Sequence, residues 1–415
     1  MPFSSFGLDA QLIRALGERH YLAPTPIQAA AIPVVLRGVD VRVCAQTGSG
    51  KTAAFVLPIL QQLLGRPREM PRRIQALILV PTRELAAQIG ESLRIYSRYL
   101  SEPIKVLSVF GGVSINPQMM ALRGGADIVV ATPGRLLDLL DHNALTLASV
   151  AVLVLDEADK LLELGFAEEL TRILGLLPPQ HQSLLVSATF PPVVEALAEK
   201  LLRDPVRIEV SATPATEPAI VQRAIEVDEK RRTQLLRHLI EAQGWTRVLV
   251  FVATKYSTEH VAEKLRRARI NAAPFHGELS QSVRTQTLAD FKAAKLRVVV
   301  ATDVAARGID IARLPAVVNY DLPRSAVDYI HRIGRTGRAG ESGIAVSFIT
   351  ANSQAHFRLI EKRHQLNLPY EQIAGFEPVE TADPTATAPT SSTGGIKGKR
   401  KSKKDKLREA AARGV

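Results

Sequence analysis

Short runs of β-branched and aliphatic residues recur along this chain, each followed by a helix-length segment. No other feature restricts the fold as much. In the first half the runs cover residues 41–44, 76–80, 106–110, 128–131, 152–155 and 184–186. Several are uninterrupted rather than alternating with polar residues, as in parallel strands covered by helices on both faces. A small-residue, Pro-containing segment at 211–218 then reads as a linker. The alternation resumes at 225–227, 248–252, 272–275, 298–301, 317–320 and 344–349. The expectation is two α/β lobes with parallel sheets, 1–210 and 219–375, which suits a chain of 415 residues. From about Phe376 the apolar periodicity fades into Thr, Ala, Pro and Gly, so 376–415 reads as a disordered basic tail.

Charge is unevenly placed. The formal net charge is +12, which favours a polyanionic partner. Residues 396–415 hold nine Lys and Arg against Asp405 and Glu409, and so carry +7 of that total. The rest is mildly basic, and a solubilising tail is a competing reading of the run. The single cysteine, Cys44, leaves no intramolecular disulfide and no cysteine-rich metal site. The first residues show no secretory signal and no apolar run approaches the ~18 residues of a membrane span, so the default compartment is the cytoplasm.

Two segments carry phosphate chemistry. Ala45-Gln46-Thr47-Gly48-Ser49-Gly50-Lys51-Thr52 follows a strand-like run and opens a helix-like one. Its backbone N–H groups can cradle phosphates, Lys51 can reach the β/γ-phosphates and the Thr52 hydroxyl can hold magnesium. Ala45 stands where the general pattern has its first glycine. Asp156-Glu157-Ala158-Asp159 ends a run where α/β sheets place ligands. Asp156 suits magnesium, and Glu157 suits orienting a water for attack on a phosphoryl group. Taken alone, Asp156-Glu157 also reads as the acidic start of a helix. Together the two segments point to ATP with Mg2+.

With these motifs the chain resembles the DEAD-box RNA helicases over roughly residues 1–375, most like their bacterial RhlE-type branch. Pro24-Thr25-Pro26-Ile27-Gln28, with Phe6 upstream, resembles the adenine-reading Q motif; His20 stands where the family usually has glycine before the aromatic Tyr21. Pro81-Thr82-Arg83-Glu84-Leu85-Ala86, Gly111-Gly112, Thr132-Pro133-Gly134-Arg135 and Ser187-Ala188-Thr189 follow in family order. So do Val250-Phe251-Val252-Ala253-Thr254, Gln281-Ser282-Val283-Arg284, the run from Ala301 through Arg307 to Asp310, and His331-Arg332-Ile333-Gly334-Arg335-Thr336-Gly337-Arg338.

The resemblance implies two RecA-like lobes with ATP and magnesium in the cleft and RNA across both. Gln28 would read adenine through its amide donor and acceptor, with Phe6 and Tyr21 stacking on the base and Asp310 contacting the ribose. Arg335 and Arg338 would cross the cleft to the transferring phosphoryl group. Without the family these arginines read as an RNA-binding or surface cluster. His331 would connect them to Asp159 or to the coupling loop of Ser187 and Thr189, or else be a structural histidine. Arg83, Arg135, Arg284, Arg307 and Gln281 would contact RNA, with hydroxyls from Thr82, Thr132, Thr254 and Thr302. Gly111, Gly112 and Gly134 would permit close approach of the backbone. The implied activity is RNA-stimulated ATP hydrolysis that unwinds short duplexes or remodels RNA–protein complexes. An ATP-gated RNA clamp or scaffold, and a DNA-directed helicase, remain alternatives.

Overall fold

The computed structural model describes residues 2–19, 21–45, 49–64, 70–210, 220–306, 314–337 and 342–380. The strands of the first lobe are β1 (Val41–Cys44), β2 (Ala76–Leu79), β3 (Val106–Val109), β4 (Ile128–Ala131), β5 (Val152–Leu155), β6 (Gln182–Ser187) and β7 (Val206–Glu209). Those of the second are β8 (Ile220–Glu226), β9 (Val248–Phe251), β10 (Ala272–Phe275), β11 (Val298–Ala301), β12 (Ala316–Asn319), β13 (Gly343–Ile349) and β14 (Tyr370–Glu371). Each set forms one seven-stranded sheet, ordered β3-β4-β2-β5-β6-β1-β7 and β10-β11-β9-β12-β13-β8-β14. Every named pairing is parallel.

The uninterrupted apolar runs are explained by two-sided burial. Ile78 and Val130 face one side of the first sheet and join the core built with helices Pro26–Leu36, Lys51–Leu64 and Arg83–Ser97. Leu77, Leu79 and Val129 face the other side and pack with Leu136, Leu161 and Ile173. Both faces are apolar because both are covered. The second sheet is covered likewise, with Val248 and Val250 in one cluster and Leu249 and Phe251 in another.

Register places the chemistry. β6 lies between β1 and β5, with Cys44 opposite Ser187 and Leu155 opposite Leu185. The phosphate loop, the Ser187–Thr189 turn and the Asp156–Asp159 segment therefore emerge side by side from three neighbouring C-terminal strand ends.

Three departures from expectation concern the edges and the end of the chain. β7 and β14 lie outside the expected runs, at the sheet edges. The expected linker at 211–218 lies outside the described residues. The expected disorder does not begin at 376: Phe376 packs against the second lobe's core, with its ring centroid 5.4 Å from that of His238. Asp228, only 3% exposed, accepts the N–H groups of Val379 and Glu380 at 2.9 Å each. A buried carboxylate needs such donors, so the segment is pinned through residue 380. The rest of the expected tail lies outside the described residues. Among the described residues, no helix is long and apolar enough to cross a membrane.

Candidate functional site

Lys51 begins the 14-residue helix that follows the phosphate loop, so a helix N-terminus and an ammonium group face the same space. Lys51 is buried, and its Nζ donates to Ala45 O at 2.5 Å. Thr52, next in the helix, is half-buried. Gly50 has φ +95°, and a Cβ there would meet Gln28 Nε2 at 2.5 Å. Only glycine takes both the backbone angle and the contact. Gln46, Thr47 and Gly48 lie outside the described residues.

Across β6, Asp156 is 3% exposed, and burial pushes its carboxyl up to about 7, against the pull of Lys51. Burial also raises Glu157, opposed by Arg335 and Lys51. Glu157 sits at φ 50°, ψ 52°, a left-handed conformation a non-glycine residue adopts rarely and at a cost. A buried carboxyl and a half-buried one beside a lysine form a set that a divalent cation with phosphate would complete. Among the described residues no cluster of three or more His, Cys, Asp or Glu is arranged to hold a metal. Thr52 and Asp156 could hold magnesium only in company with phosphate oxygens. The donors present fit that group.

The coupling residues are brought together. Asp159 Oδ2 accepts from Thr189 N (3.2 Å) and Thr189 Oγ1 (2.8 Å). Ser187 Oγ accepts from Asp159 N at 3.3 Å and donates to Thr189 O at 2.7 Å. From the second lobe, Arg335 is 8% exposed, and its charge opposes the rise that burial causes at Glu157. His331 stands nearby, and burial first, then Lys160 and Arg335, lowers it to about 4 against Asp159 and Asp328. The ring is thus neutral near pH 7. Arg338, Arg307 and Asp310 lie outside the described residues.

A pH dependence follows from His331. An unfolded histidine takes up its proton near pH 6.5, while this buried one resists until about pH 4. Its contribution is fully present above 6.5 and is lost as pH falls through that window. Thermal denaturation of the parent and of H331Q between pH 7 and 4 checks this. The parent loses more stability than the variant; equal losses would remove the assignment.

Some expected base contacts take a different form. Gln28 is fully buried, and its amide is already engaged. Oε1 accepts Thr25 N–H at 2.9 Å and Nε2 donates to Gly50 O at 3.1 Å. The first bond caps helix Pro26–Leu36; the second ties that cap to the phosphate loop. Tyr21 packs on the first core, beside the buried Tyr96. Phe6 stands edge-on to Phe3, ring centroids 6.2 Å apart. Both rings are half-buried and anchor the segment.

Among the expected RNA contacts, Arg135 is 9% exposed, donates from NH2 to Val113 O at 2.8 Å, and keeps NH1 buried with no hydrogen-bond partner. Gly111 and Gly134 have open space where a Cβ would stand, whereas the Arg83 guanidinium lies over Gly112, which has φ +76°. Thr82 Oγ1 accepts from Leu85 N at 3.3 Å and Thr254 Oγ1 from Ser257 N at 3.1 Å, so both act as helix N-caps. Thr132 precedes its helix without such a bond, and Thr302 is half-buried at the end of β11.

Gln281 and Arg284 both meet Glu84 of the first lobe. Arg284 NH2 pairs with Glu84 of the first lobe at 2.9 Å, both side chains being 7% exposed or less. Gln281 Nε2 donates to Glu84 Oε1 at 3.1 Å. A desolvated guanidinium requires a carboxylate, so these residues bridge the lobes.

Glu84 carried no assigned role, nor did Arg332, Asp303, Lys160 or Asp328. Arg332 is 2% exposed; it bonds Asp303 through Nε (2.6 Å) and NH2 (2.7 Å), and Asn319 Oδ1 and Asp321 O through NH1. The signal for it was helical: Tyr329, Arg332 and Ile333 share the buried face of helix Ala326–Ile333.

The DEAD/DEAH box helicase profile matches residues 25–197 and the helicase conserved C-terminal domain profile residues 231–340. A DEAD box protein from Methanococcus jannaschii is 37% identical, with 90% of this chain and 99% of that one covered and a TM-score of 0.51. The chain belongs to the DEAD/DEAH box helicase family. ATP-dependent RNA helicase DeaD of Buchnera aphidicola is 42% identical over 369 residues, 89% of this chain and 60% of that protein. This chain spans about three fifths to two thirds of the length of the curated relatives it matches. S. cerevisiae Dbp5, solved bound to RNA and ADP BeF3, has a TM-score of 0.80 at 30% identity, covering 89% of this chain and 95% of that one. The tandem RecA-like lobes are thus those of DEAD-box helicases.

Proposed function

We propose that this chain is an RNA-stimulated ATPase that uses ATP hydrolysis to unwind short RNA duplexes or remodel RNA–protein complexes. The observation that carries the reading is the composite site. Lys51, Asp156 and Glu157 come from one lobe, and the charge of Arg335 acts on Glu157 from the other. Such an arrangement is complete only when the lobes are together, so a ligand spanning both favours the competent state. The relatives' names and the nucleotide- and RNA-bound state of Dbp5 support the same reading.

Lys51, Thr52 and the N-terminus of their helix would hold magnesium-bound ATP, with Asp156 on the ion. That group supplies the phosphoryl centre that water attacks. Glu157 orients the water and takes up its proton. Arg335 offers positive charge where negative charge grows. Asp159 holds the Ser187–Thr189 turn against this site, so loss of charge there is felt at the strand end shared with the phosphate loop. The open positions at Gly111 and Gly134 support close approach of an RNA backbone to the first lobe, a sequence-independent mode.

A labelled short-duplex displacement assay tests the proposal. Displacement with ATP, its absence with a non-hydrolysable analogue, and ATPase stimulation by RNA over matched DNA are expected. Lys51→Ala is expected to weaken ATP binding by at least about tenfold, through loss of a buried charge-assisted contact. ATP hydrolysis equally fast with and without RNA would sink the reading.

A further inference from the structure

Lys160 follows the Asp156–Asp159 segment and is 4% exposed despite its charge. Two carboxylates lie within its reach. Glu163, in the same short helix, is at 2.9 Å, and Asp328, in the other lobe, is at 3.6 Å. Glu163 steadies the ammonium group but belongs to Lys160's own lobe, so it is indifferent to whether the lobes meet. Asp328 is the partner across the cleft, and it is itself held in place. Ser325 Oγ donates to Asp328 Oδ2 at 2.8 Å, and Asp328 N donates to Ser325 Oγ at 3.1 Å. The carboxylate is therefore fixed in the first turn of helix Ala326–Ile333. His331, one turn along, is its neighbour on the helix surface, and Arg335 follows the helix end.

We propose that the Lys160–Asp328 ion pair is a positioning contact that sets helix Ala326–Ile333 against the Asp156–Asp159 segment and so places Arg335 opposite Glu157. An exposed pair at this distance would do little. Here Lys160 is desolvated while Glu163 is half exposed, so Asp328 supplies the second, better-shielded counter-charge, and its loss weakens the arrangement that buries the ammonium group. The cost falls on the closed state, because only there does Asp328 arrive. Small displacements of a catalytic group lower rates steeply, so the pair acts through Arg335 without touching substrate.

The inference rests on the functional reading above, and its test separates the two. Lys160→Met, Asp328→Asn and the double variant are compared with the parent for RNA-stimulated kcat and KM for ATP. Energy transfer between dyes on the two lobes, with single-stranded RNA and a non-hydrolysable ATP analogue, reports closure. Melting temperatures establish that each variant is folded, and Asp328→Asn retains an oxygen for the Ser325 bond. Each single variant is expected to lower kcat about tenfold with KM for ATP within about twofold, and the double variant to be no worse than either. Losses that multiply in the double variant, or a parent-like kcat in either single variant, overturn the proposal. If the parent shows no RNA-stimulated hydrolysis, the functional reading fails; the closed fractions then decide the pair alone, a shared loss supporting it and independent or absent losses ending it.

Discussion

Arg335→Ala is expected to lower RNA-stimulated kcat by on the order of 10³-fold, about 4 kcal/mol of barrier, leaving ATP affinity without RNA within about threefold. The asymmetry comes from geometry. Arg335 belongs to the lobe that contributes no phosphate loop, yet it is 8% exposed and its charge acts on Glu157. It takes part only when the lobes meet, so its loss is felt in turnover rather than in first binding. Arg335→Lys is expected to rescue little, because a compact ammonium group lacks the planar fork that spans phosphoryl oxygens. Steady-state ATPase rates at saturating RNA, with nucleotide titrations in its absence, check this. An R335A protein within tenfold of the parent rate would falsify the composite site.

The second large effect is at Glu157. Glu157→Gln keeps the size of the side chain and the same left-handed backbone, but the amide cannot take a proton from water. Turnover is expected to fall by on the order of 10²–10⁴-fold, the range for loss of a general base. ATP and RNA binding persist, and the protein accumulates in a closed complex with both. Single-turnover hydrolysis together with RNA retention measures the two halves of that expectation. Hydrolysis at the parent rate by E157Q would leave the base to another group.

How much of this was legible in the chain depends on what each feature needs. Runs such as Val152–Leu155 were readable because two-sided burial demands four apolar residues in succession. β7 was not: Val206-Arg207-Ile208-Glu209 sits at an edge with alternating exposure, so it lacks the signature of the central strands. β14 is two half-buried residues held by pairing with β8, a tertiary effect with no local pattern. At the site, Lys51, Asp156 and Glu157 stand out in the sequence because phosphate chemistry needs a cation at a helix start and carboxylates at a strand end. The bond from Gln281 to Glu84 spans 197 positions, and no periodicity connects residues so far apart. A first-turn glutamate is favoured by the helix dipole, and that local reason concealed the role of Glu84. Gln28 shows the converse. Its amide carries a donor and an acceptor, and in the structure each meets the neighbouring backbone, a pairing that residue type alone does not reveal.

The clasp of Asp228 on Val379 and Glu380 has a practical side. Whatever is joined after residue 380, whether a dye, a sensor domain or a surface tether, departs from a fixed point on the second lobe. A reporter grafted there, matched with one on the opposite lobe, would report the distance between the lobes from a defined origin.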